Sequence, residues 1–291
     1  MQLDFQDHRR KLHANRYVYA VVSRRAGGLS IGINLNPDKV CNFDCPYCQV
    51  DRSQKSSTLP VDVERLTEEL ERLLTWVHEG VLWSIPPFDT AKESHRRVAD
   101  ISFAGDGEPT SAKAFTTVIK NVAQLKRLFG LEHIKLQVLT NATLFNRPKV
   151  QQGLTTLWEN GGEVWAKLDA GTEKWFQLID GTNLPFALIL RNIQWAARQG
   201  ALVLQCMFHR WEGNAPSSEE ISAWCQRLAE IYESGGRIRL IQVYSVARRP
   251  ADPRVTMLEE ESLINIANQA RRIVDQYHQD TLVKHYPGLP V

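Results

Sequence analysis

"ADISFAGDGEPTSAKAFTTVIKNVAQLKRLFG", residues 99–130, changes its period half way along. Residues 99–105 are a short apolar run closed by glycine, which predicts a buried strand. From Ser111 the apolar residues recur at helical spacing, with Ser111 placed to cap the helix and Gly130 to end it. The same succession recurs on both sides of this stretch. "LSIGINL" (29–35) reads as a strand and "DVERLTEELERLLTWVHEGV" (62–81) as an amphipathic helix. Further strands are predicted at 134–141, 163–170, 201–210 and 237–246. Helices are predicted at 147–159, within 172–199 with breaks near Gly181 and Pro185, at 217–233 and at 258–277. Six strand–helix units with near-continuous apolar strands imply an α/β fold, a parallel sheet under outer helices. Six units are fewer than the eight of a closed barrel, so the expected architecture is a partial (β/α)6 TIM-like barrel. "WSIPPFDTAKESHRRV" (83–98) is expected to be a long surface loop, because Pro86 and Pro87 stop a helix and no periodicity follows. Residues 1–28 read as a basic N-terminal extension and 29–291 as the core domain with its C-terminal helix.

Composition narrows the class. The chain has 291 residues, 43% hydrophobic, enough for a large single core. No apolar run approaches the ~20 residues of a membrane span, and the first residues lack a signal-peptide core. A net charge of +2 falls short of a dedicated nucleic-acid-binding composition. A local basic stretch (His8, Arg9, Arg10, Lys11, His13, Arg16, then Arg24 and Arg25) reads as a solvated arm, with phosphate contact as the alternative.

Three of the five cysteines, Cys41, Cys45 and Cys48, fall in "CNFDCPYC" directly after the first predicted strand. So close a set is no disulfide framework, and a reducing cytosol is the expected compartment. Ligands of parallel α/β folds bind at the carboxyl ends of the strands, where this loop lies. Three thiolates on one short loop can face a common point, and a metal or cluster is what gathers that many anions. No fourth Cys or His follows at short range, so one coordination position is left open. A zinc site completed by a distant fourth ligand remains the alternative.

The CxxxCxΦC spacing, with Tyr47 as its aromatic, resembles the signature loop of the radical S-adenosylmethionine (radical SAM) superfamily. The resemblance implies a partial barrel and a 4Fe-4S cluster held by Cys41, Cys45 and Cys48. S-adenosylmethionine would chelate the open iron, a reduced cluster would cleave it, and a 5′-deoxyadenosyl radical would abstract hydrogen from a substrate. The electron would come from a one-electron reductant such as flavodoxin or ferredoxin. "FAGDGEPTS" (103–111) lies where the family has its GGE-type motif, which assigns Gly105, Asp106, Gly107 and Glu108 to the cofactor's amino group. "LTNATLF" (139–145) resembles the family's TNG segment and assigns Thr140 and Asn141 to its methionine or ribose end; a strand-ending Asn turn is the even alternative.

In "AKLDAGT", Lys167 and Asp169 share one strand face, with Asp169 a cofactor candidate and a structural pair as the alternative. Gln205, Met207 and His209 alternate on one face of the fifth strand. Gln242 and Tyr244 do so on the sixth, ahead of Arg248 and Arg249; a ligand can partner such polar residues. Cys206 reads as a buried, apolar-like thiol and Cys225 as a helix residue, two isolated thiols. Most of residues 29–257 is similar to the wyosine-type tRNA-modifying branch, yet residues 1–40 hold no cysteine for that branch's second cluster. RNA and a small molecule both stay open as substrate. The functional alternative is a zinc or iron–sulfur protein with an electron-transfer or interaction role.

Overall fold

Strands β2 (Gly28–Ile33) and β3 (Val98–Phe103) each alternate buried apolar side chains with small or polar ones, and they pair in parallel. In the computed structural model, which describes residues 15–23, 27–52, 60–250 and 252–288, the chain divides into two compact units. The first comprises the described residues up to Cys41, those up to Leu139 that follow the cysteine segment, and Arg147–Glu163. It orders its strands β1-β2-β3-β4, with β1 at Val18–Ser23 and β4 at Lys135–Thr140. β1 pairs antiparallel with β2 and the rest run parallel. Helices α1 (Val63–His78), α2 (Phe115–Leu128) and α3 (Pro148–Glu159) supply the other side of its core. Leu66, Leu70 and Leu73 of α1, Val118 and Ile119 of α2 and Leu154 and Leu157 of α3 are fully buried. Each such side chain stabilises by about 1.5–3 kcal/mol, the main term holding the unit.

β1 was not foreseen, because residues 1–28 read as a basic extension. Its entry is fixed by a helix carboxylate: Glu69 accepts from the backbone N–H groups of Arg16, Tyr17 and Val18 at 2.9, 2.8 and 3.1 Å. The remaining basic positions of that stretch, His8 to His13 with Arg24 and Arg25, lie outside the described residues. Ser111 does not cap α2, whose first residue is Phe115. It closes a 3-10 turn at Pro109–Ser111, donating to the Glu108 carbonyl at 2.7 Å and accepting from Asn36 Nδ2 at 3.1 Å. Gly130, with φ +64°, follows the end of α2 as expected. The 83–98 loop is irregular, and it winds through short 3-10 turns that bury Leu82 and Phe88.

The second unit comprises 42–52, 140–146 and the described residues from Val164 on. β5 (Glu163–Lys167) leads to α4 (Glu173–Ile179) and α5 (Phe186–Gln199). β6 (Leu202–Met207) is followed by β7 (His209–Trp211), α6 (Ser218–Glu233) and β8 (Leu240–Tyr244). β9 (Val255–Met257), α7 (Glu260–Gln276) and β10 (Leu282–Tyr286) complete it. β5, β6, β8 and β10 lie side by side in parallel, while β7 and β9 form a separate antiparallel ribbon. α4 and α5 break at Gly181 and Pro185, as the sequence predicts. The fold is mixed α/β with a mostly parallel eight-stranded sheet. Among the described residues no helix is long and apolar enough to cross a membrane.

Candidate functional site

The cysteine segment 42–48 rests on two turns of its own unit. The first follows β4. Asn141 Nδ2 donates to Asn42 Oδ1 at 2.7 Å, Asn42 Nδ2 donates to Thr143 Oγ1 at 2.6 Å, and Thr143 Oγ1 donates to Asn141 Oδ1 at 2.7 Å. This closed triangle satisfies the buried Asn141 and Thr143 together with the exposed Asn42. Thr140 Oγ1 accepts from the Ala142 N–H at 3.0 Å, and Asn192 Nδ2 donates to the Ala142 carbonyl at 2.7 Å. Thr140 and Asn141, expected at the cofactor, thus bond within this turn and to the cysteine segment.

The second turn follows α4, where the sequence pattern indicates only a helix break. The Asp44 N–H donates to the carbonyls of Asp180 and Gly181 at 3.2 and 3.3 Å. Gly181 has φ +57°, and a Cβ there would lie 2.1 Å from the Asp44 carbonyl oxygen. Only glycine permits both that backbone conformation and that approach. The Cys45 thiol donates to the Asp180 carbonyl and to Asp180 Oδ1, both at 3.6 Å. The Asp–Gly pair is a visible turn signal, but nothing in the sequence tells which segment it receives.

Tyr47, 7% exposed, is the knot of the segment. Its hydroxyl lies 2.5 Å from Asp169 Oδ2 and 3.0 Å from Asp180 Oδ1. A phenol has one proton, so a second must come from a carboxyl group. Burial, and next the charge of Asp169, push Asp180 up to about 8, so at neutral pH that proton is on Asp180. Lys167 Nζ pairs with Asp169 Oδ2 at 3.0 Å and lies 4.8 Å above the Tyr47 ring. Burial lowers the Lys167 pKa, but Asp169 and the other anionic neighbours outweigh it and hold the ammonium charged. Asp169 Oδ1 accepts from the Met207 N–H at 2.7 Å. His209 lies ring to ring with Tyr47 at 5.5 Å. Its Nδ1 faces the Arg210 carbonyl at 3.1 Å and must donate, leaving Nε2 a buried acceptor with no partner among the described residues.

None of the five cysteines is in a disulfide. Burial, with Asp180 next, pushes the Cys45 thiol well above its usual range. Cys48 Sγ accepts from Arg52 Nη1 at 3.4 Å, a neighbour that suits a thiolate. Cys45 and Cys48 border a cavity of 1140 Å³ whose walls include Arg52, Trp211, Arg249 and Arg254. Arg254 stacks on Trp211 at 4.4 Å and is held by Asp252 at 2.6 Å. Among the described residues no three His, Cys, Asp or Glu side chains form a ready metal-holding group. The chemistry of the donors nevertheless suits a thiophilic cluster: unbridged sulfurs, those of Cys45 and Cys48 beside an open cavity, which ligate once deprotonated. Cys206 and Cys225 are buried, on β6 and α6, and burial raises both thiols.

In the first unit, Asn34 holds the GDGE turn. Its Nδ2 donates to Asp106 Oδ2 at 2.6 Å and its Oδ1 accepts from the Asp106 N–H at 3.1 Å. A Cβ on Gly105 would lie 2.1 Å from Asn34 Oδ1, and one on Gly107 2.1 Å from the Val40 carbonyl. Glu108 is buried and accepts from the Thr110 N–H at 3.1 Å. The close approach at these glycines is made by the chain's own segment 34–40.

No family model matches the sequence. The chain is 28% identical over 173 residues to a GTPase Obg of Brachyspira hyodysenteriae, covering 60% of this chain and 22% of that protein. It is 27% identical over 166 residues to a UPF0026 protein of Helicobacter pylori, covering 56% of this chain and 46% of the relative. It is thus aligned with less than half the length of these curated relatives. Among solved structures, a radical SAM methyltransferase from Sphaerobacter thermophilus superposes with TM-score 0.62 at 10% identity, covering 92% of this chain and 68% of that one. TYW1 with a lysine–pyruvate adduct gives 0.52 at 12% identity, covering 93% and 86%. A spore photoproduct lyase mutant gives 0.53 at 11% identity, covering 94% and 81%. The fold of this chain is the partial TIM-like barrel fold of radical SAM enzymes.

Proposed function

We propose that the chain is a radical SAM enzyme in which Cys41, Cys45 and Cys48 hold a 4Fe-4S cluster. One observation carries the reading: three unbridged cysteines on a single loop after β2, in a chain with the fold of radical SAM enzymes. When bound and reduced, the cluster supplies the electron that cleaves S-adenosylmethionine to methionine and a 5′-deoxyadenosyl radical, which takes a hydrogen atom from substrate. The electron comes from a one-electron carrier such as flavodoxin or ferredoxin.

The chain's own residues position and shield. Asp180 and Gly181 receive the backbone of Asp44, Tyr47 ties the segment to Asp169, and Lys167 neutralises that carboxylate. The GDGE turn is assigned to the amino group of S-adenosylmethionine, and the side chains of Thr140 and Asn141 to its methionine or ribose end. Burial of Tyr47 and His209 keeps water from the inner side of the loop, as radical chemistry requires.

Anaerobic reconstitution with iron and sulfide, then a dithionite-driven assay for 5′-deoxyadenosine, tests the reading. Near four irons per chain and S-adenosylmethionine cleavage that vanishes in Cys45→Ala are expected. A colourless protein that retains zinc, or an iron–sulfur protein without S-adenosylmethionine cleavage, overturns it.

A further inference from the structure

The sheet of the second unit has two unlike faces. Ala166, Leu204, Cys206, Ile241 and Val243 are fully buried on one. On the other the register stacks three rows across β5, β6, β8 and β10. The lowest, Trp165, Val203, Leu240 and Leu282, is apolar. The next is wholly polar: Lys167 beside Gln205, Gln205 beside Gln242, Gln242 beside Lys284. Above it, toward the carboxyl ends, come Met207, Tyr244 and Tyr286. A polar level between apolar and aromatic ones lowers stability wherever its groups are left without partners.

Hydrogen-bond accounting shows what the row lacks. Gln205 Nε2 donates to Gln242 Oε1 at 3.3 Å. That bond uses one of the two lone pairs on the Gln242 oxygen and leaves both its N–H donors, one further N–H on Gln205, and the Gln205 oxygen, so that with the Lys284 ammonium six N–H donors face three lone pairs. Lys167 is matched by Asp169, whereas the exposed Lys284 has no ion-pair partner among the described residues. Donors therefore outnumber acceptors, and one positive charge is unbalanced.

We propose that this row binds the carboxylate of a small organic acid. One carboxylate oxygen takes the Gln242 amide and the other the Lys284 ammonium, on strands about 4.8 Å apart. Met207 and Tyr244 meet the acid's apolar body, a contact that inorganic phosphate cannot make. Parallel α/β sheets bind ligands toward the carboxyl ends of their strands, where this row and the aromatic level above it lie. Calling the acid the substrate rests on the radical SAM reading; the binding does not.

Methyl NMR of the full chain tests it, in the metal-free and the reconstituted protein, because only Met1, Met207 and Met257 are methionines. Titration with propionate is expected to move the Met207 methyl saturably and leave Met257, on β9, in place. Gln242→Leu and Lys284→Met should each weaken the apparent affinity about tenfold or more, with unchanged Met257 resonance and melting temperature showing that the fold persists. An unmoved Met207, variants that bind as the parent does, or inorganic phosphate binding as tightly as propionate overturns the proposal. A chain that binds propionate yet cleaves no S-adenosylmethionine refutes the radical reading and leaves the carboxylate site standing; cleavage without propionate binding does the reverse.

Discussion

Gly107 and Gly181, each within its own unit, meet the same obstacle. In each a Cβ would lie 2.1 Å from a backbone carbonyl oxygen, that of Val40 for Gly107 and that of Asp44 for Gly181. They differ in backbone: Gly181 is left-handed at φ +57°, and Gly107 is not. They differ also in how they read, since Gly107 lies in a motif that resembles a cofactor turn and Gly181 reads as a helix break. A glycine in a ligand-type motif can thus serve the chain's own backbone, and an unremarked one can bear as much on the site.

The largest effect is expected for Gly181→Ala. A left-handed alanine costs about 1–3 kcal/mol, and displacement of Asp44 adds to it, so denaturant unfolding should show a loss of about 3 kcal/mol or more. Iron retained after reconstitution should fall with it. Gly107→Ala meets only the collision, at about 2 kcal/mol in the same unfolding measurement. A loss for Gly107→Ala equal to that for Gly181→Ala would break the contrast. A Gly107→Ala chain of full stability but weakened S-adenosylmethionine binding would sharpen it, by making the first turn a ligand cradle alone.

Tyr47→Phe leaves the ring in place and removes both the donor to Asp169 and the acceptor for the Asp180 carboxyl proton, for about 1–2 kcal/mol by the same assay. The smallest effect belongs to His209, whose pKa burial lowers below the usual 6.5. The unfolded chain then takes up a proton that the folded one resists, so His209 subtracts stability progressively as pH falls below about 6.5. Unfolding of the parent and of His209→Gln between pH 7.5 and 5.5 should show the steeper decline in the parent, by about 1 kcal/mol or less.

Much of the fold was legible because apolar period is a local property. α3, α4, α5, α6 and α7 fall where helical spacing places them, β4, β5, β6 and β8 fall within the predicted apolar runs, and β3 begins one residue before its run. β1 was hidden in a charged stretch, since what holds it is the remote Glu69 and pairing with β2. β10 was missed for a like reason: "LVKHY" is short and mixed, and its partner β8 defines it. In the site, that Cys41, Cys45 and Cys48 share one short stretch of chain is a fact of spacing alone. Asp180 and Gly181 were not, because their meaning arises only when α4 delivers them to Asp44 and Tyr47. The Lys167–Asp169 pair was foreseen from strand alternation, but its Tyr47 partner, 122 positions away along the chain, was not.

Glu69 takes three successive amides on one carboxylate, those of Arg16, Tyr17 and Val18. In deuterium these protons should be released together, at the rate at which the carboxylate lets go, so the entry to the first hairpin carries its own clock for local opening.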